Sequence, residues 1–195
     1  GGLQPRYTMN LLVTDVRDGK ELLEYMAGSF NARIIEYPNG EVGLRVDKEE
    51  DAVMLFTPEN VSAEGFTYNY TDPGSRYNDI TVSFTDPDLA WDTNQLRVYD
   101  QDNLDRNGRV PLDFVAVGTT NRHEALRKGF YKLITSLTET ESVSFNTNRI
   151  AQVLQPYDII LVSDPKMGYG ISARIVSMNT ARTQVTTRQN LYLEA

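Results

Sequence analysis

Two carboxylates stand two residues apart in the stretch "SFTDPDLAW", Ser83 to Trp91, which also holds the chain's only tryptophan. In a continuing strand, Asp86 and Asp88 would project from one face, as a general acid and its partner base require. Pro87 defeats that geometry: it has no N–H for a strand ladder and biases the residue before it toward extended backbone leading into a turn. The same signal recurs as Thr71-Asp72-Pro73, Thr85-Asp86-Pro87 and Ser163-Asp164-Pro165. A catalytic pair is seldom needed in triplicate, so the motif reads as a strand terminator. Trp91 is expected to anchor the following loop on the sheet.

Other candidate chemistry fares no better. In "DNLDRNGRV", Asn103, Asp105, Asn107 and Gly108 occupy positions 1, 3, 5 and 6 of an EF-hand count. Position 1 should be aspartate, and position 12, where a bidentate glutamate closes the shell, is Phe114. An Asn-Gly hairpin, with at most a weak surface cation site, is the better reading of 103–108. His123 is the only histidine, which excludes a multi-histidine metal site. A Ser-His-Asp triad would have to use it, yet no Gly-x-Ser-x-Gly elbow occurs. A surface or capping role is expected for it. "MGYG", Met167 to Gly170, lacks the lysine of a phosphate loop and reads as a flexible turn. Thiol chemistry and disulfides are absent with cysteine itself. No catalytic residue, metal site or cofactor is therefore expected.

The elements that would carry these residues follow from periodicity. "RYTMNLLVT", Arg6 to Thr14, predicts a strand. "DGKELLEYMAGSF" predicts a helix capped by Asp18, with Leu22, Leu23, Met26, Ala27 and Phe30 on one stripe. "ARIIEYPNGEVGLRVD", Ala32 to Asp47, predicts a hairpin about Pro38-Asn39-Gly40, with "AVMLF" as a further strand. From Phe66 onward, strands recur about every ten residues between Asp-Pro and Asn-Gly punctuation, as in an antiparallel sheet or barrel. They are "FTYNY", "DITVSF", "NQLRVYD" and "VPLDFVAV". A helix interrupts them over about 121–137, with Asn121 and Glu124 at capping-box spacing and Leu126, Phe130, Leu133, Ile134 and Leu137 on one face. After it come the strands "SVSFN" and "DIILVSD", then a hairpin from "GISARIVSMN" to "TQVTTRQNLYLEA". Aromatics at alternating positions, such as Phe66, Tyr68 and Tyr70, suit a core or a subunit interface better than sugar stacking.

The expected class is α+β and mainly β: an antiparallel, β-barrel-like domain with a small α+β unit. In linear terms, 1–6 reads as an expression scar and linker, with Gly1-Gly2 as the scar on an excerpt from a longer parent. Residues 7–60 read as the strand-helix-hairpin unit, and 61–195 as the β-rich domain with one packed helix. At 195 residues the chain can bury roughly 70% of its unfolded surface without staples. Nineteen Lys and Arg against 27 Asp and Glu give a net charge of −8, which opposes sequence-independent attraction to nucleic acid or anionic membrane. The basic residues around Arg122 to Lys132 read as a solvated helix face. No apolar run approaches the roughly 20 residues of a membrane span, so a soluble protein is expected.

Taken in order, "PRYTMN", "LLEYMAGSFNARI", "YPNGEVGLRVDKEEDAVMLFTPENV", "RYNDITVSFTDPDLAW", "TTNRHEALRKG" and "YDIILVSDP" resemble the tip attachment protein J family of lambda-like phage tails, also called host specificity proteins. The likeness runs from about Pro5 to Pro165. One departure is Tyr157, where the family commonly has glycine in a Pro-Gly-Asp turn, which puts the backbone of that turn in question. The resemblance implies a structural virion role without catalysis or cofactor: a central hub at the tail tip, three copies around the tail axis, supporting host attachment and DNA passage. It implies other tail proteins as partners (tail tube, tape measure, distal tail proteins), with a host receptor reached through other parts of the parent. Synthesis would be in the host cytoplasm and residence in the virion tail. Two other classes compete: a receptor- or carbohydrate-binding module using surface aromatics, and a hydrolase using Asp86, Asp88 or His123.

Overall fold

The computed structural model describes residues 5–13, 18–37, 40–48 and 50–189. Among the described residues strand exceeds helix, 41% against 26%, so the fold is mainly β, with sheets curled as in half of a barrel. Two compact units are present: Gly1–Asp47 with Pro73–Leu137, and Lys48–Asp72 with Thr138–Ala195. They interleave along the chain, and their boundaries differ from a linear division at 60/61.

In the first unit, α1 (Gly19–Gly28) begins where the Asp18 side chain accepts from the backbone N–H groups of Lys20 and Glu21, as an N-cap should. A two-stranded hairpin comes next, β1 (Ala32–Glu36) with β2 (Val42–Val46), antiparallel from Ala32↔Val46 to Glu36↔Val42. Gly40 has φ +83° and its N–H donates to the Tyr37 carbonyl, which closes the turn; Pro38 and Asn39 lie outside the described residues.

A three-stranded sheet forms the unit's centre, in the order β6-β5-β7: β5 (Asp79–Asp86), β6 (Asp92–Tyr99) antiparallel to it, and β7 (Pro111–Val115) parallel to it. Ile80, Val82 and Phe84 alternate onto one face of β5 and join Leu96, Val98, Ala125 and Leu133 in a buried cluster. The connection after β6 corrects the expected Asn-Gly hairpin. It is a short helix, α2 (Gln101–Asn107), because Asp100 caps it by accepting from Asn103 N–H and Gly108 ends it at φ +77°. With a helix in the connection, β7 can return parallel to β5, on the side away from β6.

The long helix α3 (Arg122–Thr138) starts at Asn121, whose side chain accepts from His123 N–H. Its buried face is Glu124, Ala125, Lys128, Gly129 and Leu133. The stripe is therefore rotated from the expected one: Leu133 is core and Leu126 and Leu137 flank it, while Phe130 and Ile134 are half exposed. Gly129 decides the rotation. A β-carbon there would lie 2.7 Å from a Val82 methyl and 2.9 Å from a Val98 methyl, so the helix backbone rests directly on β5 and β6. The predicted first strand also fails. Residues 5–13 form no ladder, since their polar groups are tied individually to α3 and to the loop before it.

The second unit is a six-stranded mixed sheet, order β3-β9-β10-β11-β8-β4. Its strands are β3 (Met54–Phe56), β4 (Val61–Tyr70), β8 (Glu141–Thr147), β9 (Ile159–Asp164), β10 (Gly168–Met178) and β11 (Gln184–Gln189). All pairings are antiparallel except β3 with β9, so "AVMLF" joins this sheet and not the hairpin unit. Phe56 and Phe66 pack on Phe145 at ring-centroid distances of 4.8 and 5.3 Å, at the heart of a cluster with Ile160, Val162, Ile175 and Val185.

Before β9 the chain turns at Gln155-Pro156-Tyr157-Asp158, where Asp158 N–H donates to the Gln155 carbonyl at 3.1 Å. Tyr157 has φ +77°, the conformation that favours glycine at the third position of a type II turn with proline second. The backbone thus keeps the glycine geometry although the residue is tyrosine.

Candidate interaction surface

The strand terminator at the end of β5 behaves as its sequence suggests. Asp86 accepts from Asp88 N–H at 3.0 Å and from the Asn94 side chain at 2.6 Å, and Pro87 opens a single 3-10 turn, Pro87–Leu89. Both Asp86 oxygens are occupied by this local role. The next two residues depart from expectation. Ala90 and Trp91 both have positive φ, +55° and +67°, and Trp91 N–H returns to the Asp86 carbonyl at 3.0 Å. The indole is 65% exposed, so Trp91 does not anchor the loop. Left-handed backbone at two consecutive non-glycine residues costs roughly 1–2 kcal/mol each. Here it holds a large aromatic ring out toward solvent.

Trp91 stands on the rim of a cleft of about 560 Å³. Its floor is the far end of β5, Ser83 to Thr85, where β7 has run out and the loop after it takes over: Ala116 N–H donates to Ser83 and Thr85 N–H to Thr119. The opposite wall is the segment 10–12. Asn10 N–H donates to the Gly118 carbonyl at 2.8 Å, and its side-chain amide donates to the Thr120 hydroxyl at 2.8 Å. Gly118 is required there, for its φ is +62° and a β-carbon would press on Met9 at 2.9 Å. Leu12, Tyr25 and Val115 complete the rim, exposed by 85%, 40% and 64%. None of the lining residues is charged, in a chain whose composition is 24% charged.

A buried ionic chain secures the wall. Glu124 and Lys128, one helical turn apart on α3, pair at 2.9 Å with side chains only 2% and 3% exposed. Glu124 also accepts from the Thr8 hydroxyl at 2.6 Å and the Thr8 N–H at 3.2 Å, and Lys128 donates to the Thr119 hydroxyl at 2.6 Å. Burial alone would push the Glu124 carboxyl up; the Thr8 hydroxyl, the Lys128 ammonium and the Thr8 amide outweigh it and hold the group below its ordinary value. So Glu124 is not the capping-box partner of Asn121, and Lys128 leaves the solvated face assigned to it. The Glu-x-x-x-Lys spacing ahead of Gly129 was the available signal.

A second buried carboxylate ties the sheet together. Asp79, fully buried at the start of β5, receives Arg97 from β6 at 2.6 and 2.9 Å and Arg109 from the segment before β7. The Arg97 guanidinium holds the Asp79 carboxyl below its ordinary value, with burial opposing and Arg109 assisting.

The remaining candidates are dispersed. Asn103 accepts from the Asn78 and Asn107 amides, and Asp105 accepts from Gln101, all within or beside α2. Among the described residues no three His, Cys, Asp or Glu side chains are grouped to hold a metal ion. His123 is exposed in the first turn of α3. In "MGYG" Met167 closes a tight turn, its N–H donating to the Asp164 carbonyl, and Gly168 opens β10, so its last three residues are strand and not the flexible turn expected. Phe66 and Tyr68 pack on the core, with the Tyr68 hydroxyl donating to Asp164 at 2.9 Å, and Tyr70 is exposed. Among the described residues no helix is long and apolar enough to cross a membrane.

The model of a family described as "Putative phage tail protein" matches residues 18–177, most of the chain. The chain belongs to this phage tail protein family. Curated relatives include the tip attachment protein J of Escherichia phage SECphi27, 30% identical over 165 residues, and that of Escherichia phage SECphi4, 23% identical over 176. These cover 84% and 89% of the chain but only 14% and 15% of the relatives' own length. Among solved structures, a native gene transfer agent virion contains a chain with TM-score 0.68 at 10% identity, matching 89% of this chain and 40% of that one. A tail protein from Neisseria meningitidis MC58 gives 0.61 at 16% identity, with 90% and 56% covered. At such identities these structures share the fold. As a member of the phage tail protein family, the chain is a structural component of the virion tail.

Proposed function

We propose that this chain is part of the central hub of a phage tail tip, with three copies around the tail axis, contacting other tail proteins and carrying no catalysis of its own. The observation that carries this reading is the match to tip attachment protein J over most of the chain. The surface chemistry agrees with it: the Trp91 cleft is uncharged, mixes apolar and hydroxyl groups and is suited to contact, and the hydrolase candidate Asp86 serves a turn. The excess of acidic residues would keep passing DNA from adhering to a channel wall, as like charges repel. Host attachment would be supported by holding the receptor-contacting parts of the parent in place.

The test is immunogold labelling of virions carrying an epitope tag on this segment, with the copy number per tail measured by quantitative gel. Label confined to the distal tip at three copies is expected. Label along the shaft or at the head-to-tail joint would overturn the proposal. A receptor- or carbohydrate-binding module is the competing reading, favoured by one observation: Trp91 stands exposed beside the Thr85, Thr93 and Thr120 hydroxyls, which suits a neutral saccharide.

A further inference from the structure

We propose that neighbouring copies join head to tail by seating the β1–β2 hairpin of one copy in the Trp91 cleft of the next, an inference that rests on three copies forming a ring around the tail axis. Residues two apart on a strand share a face, and on β2 that face is Val42, Leu44 and Val46, exposed by 60%, 49% and 37%. Register places Ile34 of β1 directly opposite Leu44, which widens the apolar strip across both strands. On the β1 side of this face Ala32 is buried and Glu36 is paired with Lys20 of α1, so the exposed apolar strip is the β2 side with Ile34; a two-stranded ribbon is marginal in water, and such a strip normally finds a partner.

A second copy fits better than an unrelated occupant for two reasons. Closed rings other than dimers require each copy to carry two different, complementary surfaces. The first unit carries one concave, uncharged surface and one ribbon-shaped apolar strip. The second reason is charge. Copies of a chain with net charge −8 repel one another, and contact is least opposed where both faces are neutral. The cleft has no charged lining residue, and the hairpin offers it two valines and a leucine; the one charged residue on that face, Glu36 opposite Val42, is neutralised by Lys20 at 2.6 Å. The left-handed backbone at Ala90 and Trp91, strained in the free chain, then has a purpose: it presents the indole to the incoming ribbon.

The chain's single tryptophan and lack of cysteine make this testable. In solution, a Trp91→Phe copy, silent in tryptophan emission but with its hairpin intact, is titrated into a copy carrying Val42→Asp and Leu44→Asp. A saturable blue shift of Trp91 emission is expected, and the same titration with a donor that also carries Leu44→Asp should give none. A shift produced by maltoheptaose but not by the donor copy would overturn the proposal and assign the cleft to neutral saccharide. In virions, the parent protein with Leu44→Cys and Thr93→Cys is expected to yield disulfide-linked oligomers absent from either single variant, with Val42→Cys and Val115→Cys as the second pair if the first fails to assemble. Infectious tails with three copies per tip but no cross-link from either pair would overturn the hairpin contact and leave the ring standing. A copy number other than three would remove the ring itself.

Discussion

Replacing Gly129 by alanine sets two principles against each other. A mid-helix glycine costs about 1 kcal/mol relative to alanine, so propensity alone predicts that Gly129→Ala stabilises α3. The structure predicts the opposite sign. The new β-carbon would fall short of ordinary 3.4 Å contact by about 0.7 Å from a Val82 methyl and about 0.5 Å from a Val98 methyl. Neither valine can yield easily, since both are branched at Cβ and fully or almost fully buried in β5 and β6. The helix must retreat along its Ala125–Leu133 face, and overpacking of this kind costs about 1–3 kcal/mol. Taking the upper half of that range and subtracting the propensity gain leaves a net destabilisation of about 1–2 kcal/mol, or about 3–6 °C in melting temperature for a chain of this size. Urea unfolding followed by Trp91 emission reads the first unit directly, because Trp91 belongs to it. Gly28, at the end of α1, is the control: a β-carbon there meets nothing within 4 Å, so Gly28→Ala should be neutral or stabilising by up to about 1 kcal/mol. A Gly129→Ala midpoint at or above that of the parent chain would refute the direct seating of α3 on the sheet.

Tyr157→Gly should stabilise the second unit by about 0.5–1 kcal/mol, because relief of left-handed strain exceeds the added freedom of the unfolded chain; Tyr157→Ala, which keeps a β-carbon, should gain nothing in a thermal melt. Asp79→Asn should cost about 2–3 kcal/mol at neutral pH, less than the roughly 3–5 kcal/mol for breaking a fully buried pair, because Arg97 and Arg109 keep contact with water. Both Asp79 and Glu124 have carboxyls lowered by folding, so their stabilisation is complete above the ordinary carboxylate range and is lost as pH falls through their lowered values. The parent chain should thus lose stability steeply below about pH 4, and the Asp79→Asn penalty measured by urea titration should shrink there; a pH-independent penalty would contradict the ionic role. Thr8→Val removes the hydroxyl donor to Glu124 and should cost about 1–2 kcal/mol, with faster hydrogen exchange at the Asn10 amide while β9 and β10 amides are unaffected.

Much of this protein is written locally. Asp18 and Asn121 mark helix starts because a short polar side chain can satisfy the first free N–H groups without help from distant residues. Asp86-Pro87 ends β5 because proline lacks a donor wherever it stands, and the alternation of Ile80, Val82 and Phe84 defines a buried strand face. The motif order that places the chain in its family is also local information. Tertiary structure decided which neighbours those elements would have. Asn107-Gly108 could close a hairpin or end a helix, and Asp100, capping three residues before Asn103, tipped it to helix, which sent β7 to the far side of β5. Helical periodicity allowed two adjacent stripes on α3, and only the close approach of Val82 and Val98 to Gly129 chose between them. That choice buried Glu124 and Lys128, drew Thr8 to them, and so built one wall of the cleft. Trp91 shows the same division: its neighbours in sequence ended the strand, but whether the ring turned inward or out depended on the left-handed turn that Asp86 and the end of β5 impose. Local signals act over one or two turns of chain, whereas contacts more than a hundred residues apart, such as Thr8 with Glu124, exist only once the whole unit has packed.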